Sequence, residues 1–419
     1  MTISAIAERR WPPGRPWTGG TRCPFRPLVG RNVTWVSHPI GASATVDELT
    51  IDPHPLLARL RAAEPVSWLP ALGGWLVTRH DLAREVMRDA RTYTVDDPRF
   101  STARLIGPSM LSLDGPAHTR HREPFARTFR PAETRARFTA FVAAEVDRLV
   151  GALRPAGRAE LRAELAGPLA VAVVAEALGL GDTDAATIRS WYEALVAGVS
   201  AITAGEEAVV PEAYGLLRAR VEEAIKEGRP SSLLAEVAAR PEGLTSAEVV
   251  ADAAVLMFGG IDTTEGMITN AAAHLLGHPD QLALVREDPA LLAGAIEESV
   301  RMEPAASVVD RYAVRDVRLG DADIRAGDLV RVSIAGANRD PAVFADPDRF
   351  DIRREDADRH LSFARGPHFC FGAHLARLET ATALGALLRL PGLRLEHTDG
   401  PRGLVFRKPA EVRVRWTSA

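Results

Sequence analysis

Sulfur is scarce in this chain. Its 419 residues contain two cysteines, Cys23 and Cys370, too few for a disulfide framework. Aromatic residues make up only 6% of the sequence while alanine is plentiful, a balance that favours helices. No run of about twenty apolar residues is present, so no membrane anchor is expected. The first residues lack the apolar centre of a secretory leader. The net charge is −4, which gives no global reason to expect nucleic acid or a membrane surface as partner. Internal repeats and low-complexity linkers are absent from the body. These absences leave a cytoplasmic globular protein, long enough to bury a substantial core.

What is present falls into two parts. Residues 1–45 are rich in proline, glycine and arginine, as in RRWPPGRPWTGGTRCPFRP, and show no period. They read as a flexible N-terminal extension, with Cys23 incidental to it. Residues 46–419 read as one domain, mostly α with a smaller segregated β portion (α+β). Helical spacing is expected over Pro55–Ala63 and Asp81–Arg88, a hairpin over Val66–Thr78 around Gly73-Gly74, and a long loop over Val95–Ser112. Several helices follow between Arg122 and Ala238. Thr245-Ser246-Ala247-Glu248 has the form of a capping box. It opens a helix that is apolar on almost every face and stops at Gly277-His278-Pro279. Such a helix belongs at the centre of a large protein. A further helix is expected over Pro289–Met302, strands over Tyr312–Leu319 and Leu329–Ile334, and a last helix over Ala373–Leu390.

Three stretches stand out chemically. FARGPHFCFG, Phe363–Gly372, places Cys370 just before a helix, where the positive end of the helix favours thiolate. Taken alone, a lone cysteine is more often a structural thiol. Glu298 and Arg301 sit at i and i+3 on one helix face, which alone is a common ion pair. The middle of the long helix reads Gly259-Gly260-Ile261-Asp262-Thr263-Thr264. Each glycine there costs roughly 1 kcal/mol relative to alanine, and a buried acid needs a partner.

In this order and spacing, from Asp52 to the C-terminus, the three stretches resemble the cytochrome P450 family of haem-thiolate monooxygenases, in its soluble bacterial form. Phe363, Gly366, His368, Cys370 and Gly372 match the family's haem-ligand loop, and Ala364 stands where a glycine is usual. Glu298 and Arg301 match its ExxR pair, and Asp348-Arg349-Phe350 lies where the third member of that structural triad, an arginine, is expected. Gly259 to Thr263 match its oxygen groove. The resemblance implies a P450-like helical fold with the long central helix over haem b, and Cys370 as the thiolate ligand of iron, donating electron density to favour O–O cleavage. It implies Asp262 and Thr263 as proton-delivering residues. His118 and Arg122, four apart in HTRHR, together with Arg311 and His368, match positions that bind the haem propionates.

The resemblance further implies a pocket lined by Phe100, Leu105, Ile106, Phe258, Gly259, Val308, Val309 and Phe406, suited to a small lipophilic substrate. Dioxygen would be the oxidant, with electrons from NAD(P)H through a ferredoxin and its reductase. The ferredoxin would dock on Arg120, Arg127, Arg130, Arg365 and Arg377. The protein would act as a monomer, hydroxylating or epoxidising an organic molecule, with tailoring of a secondary metabolite as one setting. Two alternatives remain at this point: a peroxide-driven peroxygenase, against which the intact Asp262-Thr263 pair speaks, and a non-catalytic haem sensor or carrier.

Overall fold

The computed structural model describes residues 38–203, 210, 212–228, 232–240 and 243–418. Most of the expected extension, with Cys23, lies outside the described residues. The boundary at residue 45 is too late, however. Pro39–Ser43 already form a helical turn, and Thr45 caps the helix Val46–Ile51 in a reciprocal capping box with Glu48. The N–H groups of Ile40 and Gly41 donate to the Glu64 carboxylate at 2.8 and 3.0 Å. Pro39 helps start this turn because a proline at the first helical position loses no needed N–H.

The central helix runs over Ser246–Gly277, 32 residues, or about 48 Å at 1.5 Å per residue. The Thr245–Glu248 capping box closes its N-terminus in both directions. It packs against helices Gly167–Leu178, Leu292–Met302 and Ala373–Leu388, and Pro131–Leu153 packs in turn on the last of these. Its two mid-helix glycines have different reasons. A Cβ on Gly260 would stand 2.7 Å from Val174 Cγ2, so close helix packing requires glycine there. A Cβ on Gly259 would meet nothing within 4 Å.

The main sheet has five strands in the order Val66–Leu69, Gly74–Val77, Leu329–Ser333, Val308–Ala313, Tyr93–Thr94. The first two form the expected antiparallel hairpin. Gly74–Val77 then pairs in parallel with Leu329–Ser333, Trp75 opposite Val330. The strand expected over Tyr312–Leu319 is two strands. Val308–Ala313 belongs to this sheet, while Val317–Leu319 turns away to pair with Ala322–Ile324. The chain leaves the sheet at Val314, whose N–H donates to Thr92 O. A three-stranded sheet at the end of the chain joins Arg158–Glu160, Val412–Arg415 and Arg394–Thr398.

The loop expected over Val95–Ser112 contains a helix, Ser101–Ile106. Six residues are too few to establish a period, and Pro98 and Gly107 bracket them with breaker signals. From Asn338 to Gly372 the chain is held by side chains rather than by regular structure, and this stretch carries much of the site.

Candidate active site

Glu298 and Arg301 are both fully buried on helix Leu292–Met302. Arg301 donates to Glu298 in a fork, Nε to Oε2 at 2.7 Å and Nη2 to Oε1 at 2.9 Å. Its Nη1 reaches the carbonyls of Asn338 and Pro347, both at 2.9 Å. The planar guanidinium thus ties a helix to an irregular segment at several points. The third member is not Arg349. That side chain is 67% exposed and faces Asp351, and only its carbonyl points inward. Arg354 takes the role, with Nε 3.0 Å from Glu298 Oε1 and Nη1 2.6 Å from Ala345 O. The segment has no period to fix an offset, so spacing alone placed the arginine five residues early.

This platform supports the Cys370 loop. Phe363 O accepts from Cys370 N at 2.8 Å, and the Phe363 ring lies under the Arg377 guanidinium. Gly366 has φ +76°, and a Cβ there would strike Met87 O at 2.7 Å; only glycine fits. Gly372 caps helix Ala373–Leu388, and a Cβ on it would sit 3.8 Å from the Cys370 sulfur, an ordinary van der Waals contact. Cys370 is exposed to solvent as a residue, yet protein surrounds its sulfur closely. Burial pushes its pKa up, against the N–H groups of Gly372 and Ala373 and the charges of Arg122 and Arg377. The helix end alone therefore does not make a thiolate; a bound cation would.

Ala364 adopts φ +57°, a left-handed conformation that costs a residue with a Cβ roughly 1–2 kcal/mol. Ala364→Gly is expected to stabilise the protein by about 1 kcal/mol, read as a higher denaturation midpoint. An unchanged or lower midpoint would show that the loop is not strained there.

Beside this loop stand His118 and Arg122, on helix Gly115–Ala126. The His118 and His368 rings lie 4.3 Å apart. His368 Nε2 is 2.8 Å from Asp114 Oδ1, and Asp114 Oδ2 accepts from Thr94 Oγ1 and Val95 N. Arg122 donates to Phe369 O and lies over the Phe371 ring. Arg311, on strand Val308–Ala313, is buried and donates to Asp310 O at 2.7 Å. Burial lowers the pKa of Arg311 to about 10 and of His118 to about 4, the latter aided by the nearby charges of His368 and Arg122. His118 Nε2 is buried without a hydrogen-bond partner among the described residues. The four groups expected to hold an anion do lie together, with the Asp114 carboxylate beside them.

These shifts carry a pH prediction. His118 and the partly buried His274 are each held near 4, chiefly by desolvation, below the usual 6.5 of an unfolded chain. The folded protein therefore binds fewer protons than the unfolded one between those values. Stability present above pH 6.5 is lost as pH falls toward 4. The ligand-free melting temperature should drop across that window, and His274→Gln, which keeps a donor for Ser299, should lessen the drop. Melts at a series of pH values decide it; a flat profile would contradict the burial argument.

On the central helix, Asp262 is buried and doubly held. Tyr192 Oη and Lys408 Nζ both donate to its Oδ1, the lysine at 2.6 Å, while Oδ2 has no partner among the described residues. Lys408 also lies 2.9 Å from Glu265 Oε1, and Arg162 donates to the same carboxylate. Thr263 Oγ1 donates to Gly259 O at 2.6 Å. Tyr192 and Lys408 carried no sequence signal. They come from helix Ala185–Thr203 and the C-terminal hairpin, and only the fold brings them to Asp262.

Leu105, Ile106 and Phe258 line one apolar hollow of about 10 Å³, with Thr102, Ala254 and Val255 among its other walls. Phe406 packs edge-on against Phe258 at 5.2 Å. Phe100, Val308 and Val309 lie outside this hollow. Phe100 starts the pocket helix, and the two valines pair with Ser333 and Val332 in the main sheet.

Comparison with known proteins follows the same lines. A family model described as Cytochrome P450 matches residues 217–402. Cytochrome P450 monooxygenase PikC of Streptomyces venezuelae is 40% identical over 370 residues, covering 84% of this chain and 87% of its own. Mycinamicin IV hydroxylase/epoxidase of Micromonospora griseorubida is 33% identical, with 85% of this chain and 94% of that one covered. The crystal structure of CalO2 superposes with a TM-score of 0.80 at 31% identity, over 89% of this chain and 98% of that one.

Proposed function

The chain belongs to the cytochrome P450 family of haem-thiolate monooxygenases, and on that premise we propose that Cys370 is its iron ligand, with His118, Arg122, Arg311 and His368 as the propionate partners. The observation that carries this is the cluster of buried imidazole and guanidinium groups beside the Cys370 loop. Among the described residues His118 Nε2 is buried and unpaired and Arg311 is a buried cation that donates to the carbonyl of Asp310, while Arg122 reaches from the same cluster to the Cys370 loop. A group bearing two carboxylates and a thiolate-seeking metal satisfies all of them, so the residues present fit haem b.

When bound, haem supplies the activation of dioxygen with two electrons, one oxygen atom going to the organic substrate and the other to water. The chain supplies the rest. Glu298, Arg301 and Arg354 fix the segment under the cofactor. Gly259 leaves room beside the central helix. Lys408 and Tyr192 hold Asp262 by one oxygen, so proton transfer runs through the other, Oδ2. Thr263 is satisfied by Gly259 O at rest, and its lone pairs remain able to accept a hydrogen bond in the open space there. An intact acid–hydroxyl pair favours dioxygen over peroxide as the oxidant.

The apolar side chains around the hollow, Leu105, Ile106, Val255 and Phe258 among them, support a lipophilic organic substrate, for which the walls must part. A hydroxylation or epoxidation that tailors a secondary metabolite agrees with the names of the relatives. We place the reaction in the cytoplasm, on a monomer, with electrons from an acidic ferredoxin. Arg127 and Arg130 are exposed beside Phe129, which packs on Phe371 of the Cys370 loop. Of the other expected docking residues, Arg120 is engaged by Glu248 and Arg377 by Glu297, while Arg365 donates to two carbonyls of its own loop.

The test is the carbon monoxide spectrum of the reduced, haem-loaded protein, followed by turnover of a lipophilic library with NADPH, reductase and ferredoxin at rising salt. A thiolate-type band and salt-weakened turnover are expected. An imidazole-type band would sink the assignment of Cys370. Turnover indifferent to salt would sink the docking face.

A further inference from the structure

HTRHR contains a third residue that the proposed mechanism does not use. His121 lies between the two propionate partners, is buried, and turns the other way, toward the central helix. Its Nδ1 is 2.8 Å from Asp252 Oδ2. Asp252 is fully buried, and its Oδ1 accepts from the backbone N–H of Met110 at 2.7 Å. The far nitrogen of His121 is 3.4 Å from Glu248 Oε1, and Glu248 is bound in turn by Arg120 and by the helix cap. A chain of polar contacts therefore runs from the surface, through a histidine, to a buried carboxylate and a buried amide.

Each end of this chain matters to the pocket. Met110 belongs to the short segment that follows the pocket helix Ser101–Ile106, whose residues Leu105 and Ile106 form one wall of the apolar hollow. Asp252 stands half a turn before Ala254 and Val255, which form the facing wall. A buried carboxylate persists only when paired, and His121 supplies the pair. An isolated buried N–H is also costly, though less so than a charge, and Asp252 satisfies that of Met110. The two requirements fix one distance, that between the pocket segment and the central helix.

We propose that the His121–Asp252 pair sets the width of the substrate hollow by pinning Met110 to the central helix. Both are positioning residues for bulky apolar ligands, and neither serves the chemistry. The inference rests on the haem-bearing pocket proposed above.

The test uses the haem-loaded protein and two probes. Imidazole needs only the iron; 4-phenylimidazole also needs the hollow. Asp252→Leu and His121→Phe should weaken 4-phenylimidazole about tenfold, the equivalent of one good hydrogen bond to a charged group, and leave imidazole within about twofold. In Asp252→Leu, amide exchange at Met110 should quicken about tenfold or more, since its bond to the central helix is gone. Asp252→Asn keeps an acceptor for Met110 and should restore both readouts, so the result does not depend on Asp252→Leu folding well. Equal weakening of both probes, unchanged exchange at Met110, or failure of the asparagine to rescue would each overturn the proposal. A wild type that shows no spectral shift with imidazole would instead overturn the haem reading on which it rests.

Discussion

Glu298→Ala is expected to destabilise the ligand-free protein by about 3–5 kcal/mol, the usual penalty for breaking a buried ion pair from one side. The side chain lies between two guanidinium groups, Arg301 and Arg354. Arg301 has no exposed surface. Removing the carboxylate leaves Arg301 wholly buried with carbonyl oxygens to face, and Arg354 largely buried with carbonyl oxygens and the Asp356 carboxylate at 4.0 Å. Typical domains are stable by 5–15 kcal/mol, so the loss is a large share of the total. Arg354→Ala should show a smaller effect of the same kind, because that side chain can be replaced by water from the surface. Arg349→Ala should be almost silent, since its side chain already points to solvent. Denaturant unfolding of the three variants checks the order. A silent Arg354→Ala beside a damaging Arg349→Ala would reverse the assignment of the third partner.

Asp262→Asn is expected to cut product formation about a hundredfold, within the range for loss of a positioned proton-transfer group, while haem binding is retained. The asparagine oxygen still accepts from Lys408 and Tyr192, so the local structure persists and only the titrating group is lost. Reducing equivalents should then be consumed with little product. Product formed per NADPH, compared between wild type and variant, is the measurement. Full coupling in the variant would remove Asp262 from the mechanism and leave Lys408 and Tyr192 as supports of the helix alone.

The parts of the site legible in the sequence were those set by local chemistry. A capping box, two mid-helix glycines, an acid beside a threonine, and a cysteine in a glycine-rich turn each announce themselves over a few residues. Their positions agree with the structure because the backbone alone fixes them. Contacts between distant segments were legible only where the family resemblance supplied them, as for His118, Arg122, Arg311 and His368. Arg354 differs from Arg349 only in where an irregular segment folds. Tyr192 and Lys408 meet at Asp262 because the C-terminal hairpin and helix Ala185–Thr203 both pack near the central helix. Asp114, which holds His368, precedes a helix without capping it through its side chain, so no local rule singles it out. The helix Ser101–Ile106 was masked by its breakers. The expected pull of the helix end on Cys370 was real but smaller than desolvation, a balance that only burial reveals.

The main sheet has a consequence for how the chain is made. Its N-terminal hairpin pairs in parallel with Leu329–Ser333, a partner more than half the chain away. Pairings so remote are slow to form, because the intervening chain must first be closed into a loop. During synthesis the hairpin must wait, its outer edge unpaired, until Leu329–Ser333 has emerged. The cysteine loop emerges later still. A chain released early would therefore expose a sticky strand edge and have nothing with which to grip its cofactor. Haem supply and aggregation are thus linked in time, at the end of translation rather than along it.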